Sequence, residues 1–174
     1  MNGTAESKRL RHHDRSDLAG EHKLGDAGQV VLLIVFLLIW ICDSFFIRYS
    51  TVFPGSLPLW IRIPVAGMIL AASFYLAKNG LNTVFVEIRE EPAVIREGVF
   101  GIVRHPVYLG SVLFYLGLIA LTLSILSLAV WIVICAFYHF IARHEENLLR
   151  AKFGKSYEDY MNEVPMWVPR LNKH

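Results

Sequence analysis

Residues 107–141 read VYLGSVLFYLGLIALTLSILSLAVWIVICAFYHFI, 35 positions without one Asp, Glu, Lys or Arg. As a single helix, rising 1.5 Å per residue, this stretch would be about 52 Å long. The hydrocarbon core of a bilayer is only about 30 Å thick and takes about 20 apolar residues. The stretch is therefore too long for one span and suits two spans joined by a very short turn. Thr122, Ser124 and Ser127 lie near its middle, and the turn is expected there.

Two further apolar blocks precede it. Residues 30–47 are interrupted only by Asp43, and residues 57–77 carry Arg62 and Pro64 near one end. The reading is an all-α integral membrane protein of four transmembrane helices, the last two a tight hairpin. Composition agrees: 55% of residues are hydrophobic and only 18% charged, against about 25% charge in an ordinary soluble domain. Disorder needs the opposite balance. The net charge of +2 is too small to imply nucleic acid as a partner. Cys42 and Cys135 both fall inside apolar blocks, so neither a disulfide framework nor a metal site is indicated.

Residues 1–27 are polar and do not have the form of a cleavable signal. They are expected to be a flexible cytosolic tail, and residues 28–174 a single membrane domain. Residues 28–80 would hold the first two spans, and 81–174 the other two with their flanking polar segments. Basic residues orient the bundle. Lys8, Arg9, Arg11, Arg15 and Lys23 precede the first span. Lys78, Arg89, Arg96 and Arg104 lie between the second and third, and Arg143, Arg150, Lys152, Lys155, Arg170 and Lys173 follow the fourth. The turn inside 107–141 has none. This bias places both termini and the long middle connection in the cytoplasm.

A hairpin returns its two ends to one membrane face. Residues 98–108 should then lie beside residues 143–149, at the cytosolic interface. Pro106 suits the first turn of a helix, where its missing N–H would be unsatisfied anyway. His105 then sits at the cap, and Arg104 precedes it. Free amides at a helix start beside an arginine make an anion site. Glu145 and Glu146 supply the opposite pole. A zwitterionic ligand matches such a pair. A basic anchor beside an ordinary helix start, with a solvated glutamate pair, accounts for the same pattern.

The segment 98–110, G-V-F-G-I-V-R-H-P-V-Y-L-G, resembles the signature of the isoprenylcysteine carboxyl methyltransferase family, which belongs with the phospholipid methyltransferases. Glu145-Glu146, Leu148, Phe153-Gly154, Tyr157 and Tyr160 resemble the family's E-E-x-x-L and F-G-x-x-Y-x-x-Y run. Val164-Pro165 and Pro169 resemble its V-P-x-x-x-P ending. The resemblance implies an all-helical membrane bundle that binds S-adenosyl-L-methionine in a pocket closed by the C-terminal segment. It implies cofactor contacts at Val94, Ile95, Phe100, Arg104, His105, Pro106, Val107, Tyr108, Glu145 and Glu146. Phe100 stands where the family often has Tyr. The substrate arginine expected one turn before the glutamates is replaced by Ile141, which leaves Arg143 as the nearest candidate.

The resemblance also implies a lipophilic or prenylated acceptor drawn from the membrane, with an isoprenylcysteine carboxylate foremost. An amine or thiol acceptor would lose a proton to His105, His144 or Glu146. A phospholipid amine, an isoprenoid or a small thiol stays open as acceptor. So do an NADPH-dependent reductase of the steroid-reductase type and a scaffold without chemistry. Asp43, Arg48 and Arg62 are expected to anchor or snorkel near span ends. His139 is expected to be a core histidine bonded to a neighbouring helix. Trp167, in the C-terminal segment, is expected to cover an adenine or a lipid tail.

Overall fold

The computed structural model describes residues 23–51, 57–85 and 93–169. The N-terminal segment to residue 22 lies outside the described residues, as do Arg89, Arg170 and Lys173. Every regular element among the described residues is helical. Helix α1 is Lys23–Ile41, continued by a π-helical segment Cys42–Ile47. Helix α2 is Leu59–Phe85, α3 is Pro106–Thr122, α4 is Ile125–Phe153 and α5 is Lys155–Glu163. A short 3-10 turn, Gly98–Gly101, stands before α3.

Three helical stretches are long and apolar enough to cross a membrane: Ala27–Ile47, Leu59–Val84 and Ile125–Phe153. The apolar α3 is shorter, at 17 residues. The break between α3 and α4 falls at Leu123 and Ser124, among the polar residues expected to mark it. Large apolar side chains point outward along these helices, among them Leu38, Ile63, Met68, Val133 and Phe140. That arrangement suits lipid as the surrounding solvent. The interior is correspondingly small and aromatic: Phe36, Tyr115, Ile119, Ile134 and Tyr138 form its buried cluster.

Helices α2 and α3 approach most closely through small residues. A Cβ built on Gly110 would stand 3.0 Å from the Ser73 carbonyl oxygen and 3.1 Å from the Ala77 nitrogen. Ser73 donates its hydroxyl to the Gly110 carbonyl at 2.7 Å. Gly117 faces Leu70, and Gly80 faces Val107, in the same way. Small side chains let helix backbones close up where burial of apolar surface gives no drive between helices in lipid.

The turn from α3 to α4 is closed by polar groups from three other segments. The last carbonyls of a helix have no partners within it, and in apolar surroundings each unmade bond is costly. Trp40 donates to the Leu118 carbonyl at 3.1 Å and to the Thr122 hydroxyl at 3.0 Å. Arg62 donates to the Leu121 carbonyl at 2.9 Å. Leu123 takes a left-handed conformation, φ 55°, and its N–H reaches the Ile119 carbonyl at 2.7 Å. Ser124 caps α4 by accepting from the Ser127 N–H at 3.0 Å.

Asp43 holds this turn and is only 2% exposed. It accepts from the Ser50 N–H at 3.0 Å, and from the hydroxyls of Ser50 and Ser124, each at 2.5 Å. Snorkelling is therefore the wrong account of Asp43 and Arg62: both are tied inward to the turn. Arg48 is exposed and closes the π-helical segment with its N–H on the Asp43 carbonyl at 2.9 Å. Trp131 packs against the buried cluster and donates its indole N–H to the Val112 carbonyl at 2.9 Å.

Candidate functional site

The site grows from the start of α3. His105 is its N-cap residue and Pro106 its first helical residue, and no side chain caps the helix. The two-residue connection to α4 returns that helix past the start of α3. Glu145 and Glu146 thereby stand beside Arg104, His105 and Tyr108. Arg104 donates from Nε to Glu146 Oε1 at 2.7 Å. His105 Nε2 lies 3.4 Å from the same oxygen, and Nδ1 lies 3.8 Å from Glu145 Oε2. Tyr108 donates its hydroxyl to Glu145 Oε1. The rings of His105 and Tyr108 are parallel within 3°, with centroids 5.7 Å apart.

Burial makes this cluster consequential. His105 is 7% exposed and Glu146 2%. Glu146 Oε1 receives the guanidinium, but the equally buried Oε2 has no hydrogen-bond partner among the described residues. An acceptor left in that condition costs free energy, which a hydrogen-bond donor reaching it would offset.

Arg104 also holds the C-terminal segment. Its Nη1 donates to the carbonyls of Met161 at 2.9 Å and Val164 at 2.6 Å, at the C-terminal end of α5. Its backbone N–H donates to the Pro165 carbonyl at 3.0 Å. Arg96 reinforces the contact, donating from Nη2 to the Ser156 carbonyl at 2.5 Å and pairing with Glu163 at 3.4 Å. Tyr157, Tyr160 and Val164 bury themselves together, with Val94 packed against them. Burial raises the hydroxyls of Tyr157 and Tyr160 above the ordinary tyrosine range. Tyr160 donates its hydroxyl to the Phe100 carbonyl at 2.7 Å.

The expected site residues divide accordingly. Arg104, His105, Tyr108, Glu145 and Glu146 form one connected cluster. Pro106 is buried and Val107 half-buried in the first turn of α3. Phe100 is held by its backbone beside α5, Val94 belongs to the α5 packing, and Ile95 is half-buried. Arg143 is exposed on α4 and is not drawn into the cluster; Ile141 is buried. His139 is exposed and not a core residue, and its partner is the indole of Trp167, which donates to Nδ1 at 3.1 Å. The grip of Arg104 on Met161 and Val164 left no mark in the sequence, because the residues it binds do so through backbone carbonyls.

A family model described as phospholipid methyltransferase matches residues 61–156. The chain belongs to the phospholipid methyltransferase family. That span runs from α2 into α5 and contains the whole cluster around Glu146. Family membership and the three apolar stretches together make the chain an integral membrane protein. The chain is 30% identical over 129 residues to protein-S-isoprenylcysteine O-methyltransferase B of Arabidopsis thaliana, covering 69% of this chain and 66% of that protein. It is 40% identical over 73 residues to methanethiol S-methyltransferase 2 of Bradyrhizobium diazoefficiens, covering 42% and 27%. It is 32% identical over 79 residues to protein-S-isoprenylcysteine O-methyltransferase of Schizosaccharomyces pombe, covering 45% and 34%. In each case the match spans less than two thirds of the relative's length.

Proposed function

We propose that this phospholipid methyltransferase family member uses S-adenosyl-L-methionine to methylate a lipophilic acceptor, with the carboxylate of an isoprenylcysteine-type substrate as the leading acceptor. The observation that carries the reading is the buried, unpartnered Glu146 Oε2 beside an uncapped helix start. One ligand with an ammonium and a carboxylate would satisfy both poles. Glu146 Oε2, with Glu145 beside it, would accept from the ammonium. The first amides of α3 would bind the carboxylate. The cofactor, when bound, supplies a methyl group already activated on a sulfonium.

The protein's own task is then placement and exclusion of water. Arg104 is a positioning residue in this reading, since its Nε and Nη1 hold Glu146 and the end of α5 over the site. Tyr108 holds Glu145 in place. A carboxylate acceptor needs no general base. A thiol acceptor would lose its proton to His105, the buried imidazole between the two glutamates. Similarity to methanethiol S-methyltransferase 2 supports that second reading. Arg143, on the exposed face of α4, would act only on an acceptor that reaches it.

The topology we propose has four spans, with α3 and α4 as the hairpin and residues 28–174 as one membrane domain. Both termini and the Glu146 cluster face the cytoplasm. A water-soluble cofactor would enter from that side and a lipophilic acceptor from the bilayer. Calorimetric titration of detergent-purified protein with S-adenosylhomocysteine, and with NADPH in parallel, tests the reading. Micromolar binding of the first and none of the second is expected. Binding of NADPH alone would move the protein to the reductases, and silence from both in folded protein would leave a scaffold.

A further inference from the structure

Beyond the cluster of charged residues, the chain after α5 runs back along α4. Its root is fixed by Arg104, bonded to the Val164 and Pro165 carbonyls. Two residues further on, Trp167 lays its ring between two histidines. Its centroid is 5.9 Å from that of His105 and 6.3 Å from that of His139. The indole N–H donates to His139 Nδ1 at 3.1 Å, and the ring packs against the buried cluster of Phe36, Tyr115, Ile119, Ile134 and Tyr138.

His139 and Glu146 are seven residues apart on α4. At 3.6 residues per turn they share one stripe of the helix, about 10 Å apart along its axis. His139 lies on the side of Glu146 that leads into the apolar part of the helix. It is exposed there, beside Phe140, which is 73% exposed. The indole therefore stands between the buried end of the charged cluster and the lipid-facing surface of α4.

We propose that Trp167, held by His139, closes the bilayer side of the site and thereby limits the length of the acceptor's apolar tail. The inference rests on the methyltransferase reading above and assigns a specificity-determining residue to it. An indole is a donor only, and His139 Nδ1 is the acceptor that fixes its ring in place. A short-tailed acceptor would fit behind the ring. A long one would have to pass it.

The test is calorimetric binding of N-acetylcysteine thioethers carrying one, two or three isoprene units to protein loaded with S-adenosylhomocysteine. In Trp167→Ala the preference for the three-unit over the one-unit tail should rise about tenfold or more, while S-adenosylhomocysteine affinity stays within about twofold of the wild type. His139→Ala should move the preference the same way by a smaller factor, and it carries the test alone if Trp167→Ala does not fold. Trp167→Phe, which keeps a ring but no N–H, should stay nearer the wild type than the alanine variant does. An unchanged or reversed preference in the alanine variants would overturn the proposal. So would loss of S-adenosylhomocysteine binding in folded Trp167→Ala, which would make the ring part of the cofactor cover. Thioethers that fail to bind loaded wild type at any length would overturn it too. Wild type that binds no S-adenosylhomocysteine fails the methyltransferase reading itself, in a separate titration.

Discussion

The two ends of the α3–α4 pair each bury a carboxylate, and the two carboxylates are treated differently. At the turn, Asp43 has both oxygens engaged: Oδ1 by the Ser50 N–H, and Oδ2 by the hydroxyls of Ser50 and Ser124. At the open end, Glu146 Oε1 is engaged by Arg104 and Oε2 by nothing among the described residues. Both residues are 2% exposed. The Ser44 hydroxyl and Arg62 Nε are also buried without partners, so the difference concerns the carboxylates and not every polar atom. A carboxylate closed on its own chain holds the fold, whereas one with a buried oxygen left unbonded is the acceptor that the proposed cofactor reading uses. Identical burial thus carries opposite meanings, and the hydrogen-bond tally separates them.

The comparison breaks most sharply at Glu146. Glu146→Ala removes the carboxylate partner of the largely buried Arg104 guanidinium, which keeps only its bonds to the α5 carbonyls, and breaking a fully buried pair costs about 3–5 kcal/mol at most. It also removes the proposed ammonium acceptor. S-adenosylhomocysteine binding should become undetectable by calorimetry, and the unfolding midpoint in detergent should fall. Asp43→Ala should cost about 2–3 kcal/mol, since hydrogen bonds to a charged group are worth roughly 1.5–3 kcal/mol each and partial relaxation recovers some of the loss. Its S-adenosylhomocysteine affinity should stay within about twofold of the wild type. Equal damage to binding from both variants would erase the distinction between the two ends.

Smaller changes sharpen it. Tyr108→Phe deletes the hydroxyl that holds Glu145 and leaves the ring stacked on His105. One hydrogen bond to a charged group corresponds to about a tenfold loss of affinity. Calorimetry should register that loss with the unfolding midpoint little changed. The smallest effect is expected from Arg143→Ala. Exposed substitutions away from special features stay within about 0.5 kcal/mol, and S-adenosylhomocysteine affinity should not move. A defect confined to the KM of the acceptor would assign Arg143 to the acceptor side.

By itself the sequence determined the solvent of this protein and most of its local order. A run of 35 residues without Asp, Glu, Lys or Arg suits helix in apolar surroundings, and its length calls for a break. The break fell at Leu123 and Ser124, among the polar residues that mark it. Pro106 after His105 announced a helix start, and the glutamate pair followed the last apolar turn. Hydropathy and spacing report such features because they are local.

Tertiary structure alone decided who meets whom. Asp43 reads in the sequence as a charge near a span end, and only the returning chain shows it gripping Ser124, 81 residues away. Arg104 reads as an anion contact, yet its guanidinium reaches two backbone carbonyls of the α5 end, which no residue type announces. Trp167 meets His105 and His139 through the return of the chain after α5, whose root Arg104 holds. Nor does composition tell that Gly110 faces Ser73 and Ala77 and not lipid. The reason is common to all four. Partner choice across dozens of residues depends on the rotation of each helix about its axis and on the handedness of a turn. A hydropathy pattern constrains both only loosely in a bundle whose outward face is as apolar as its core.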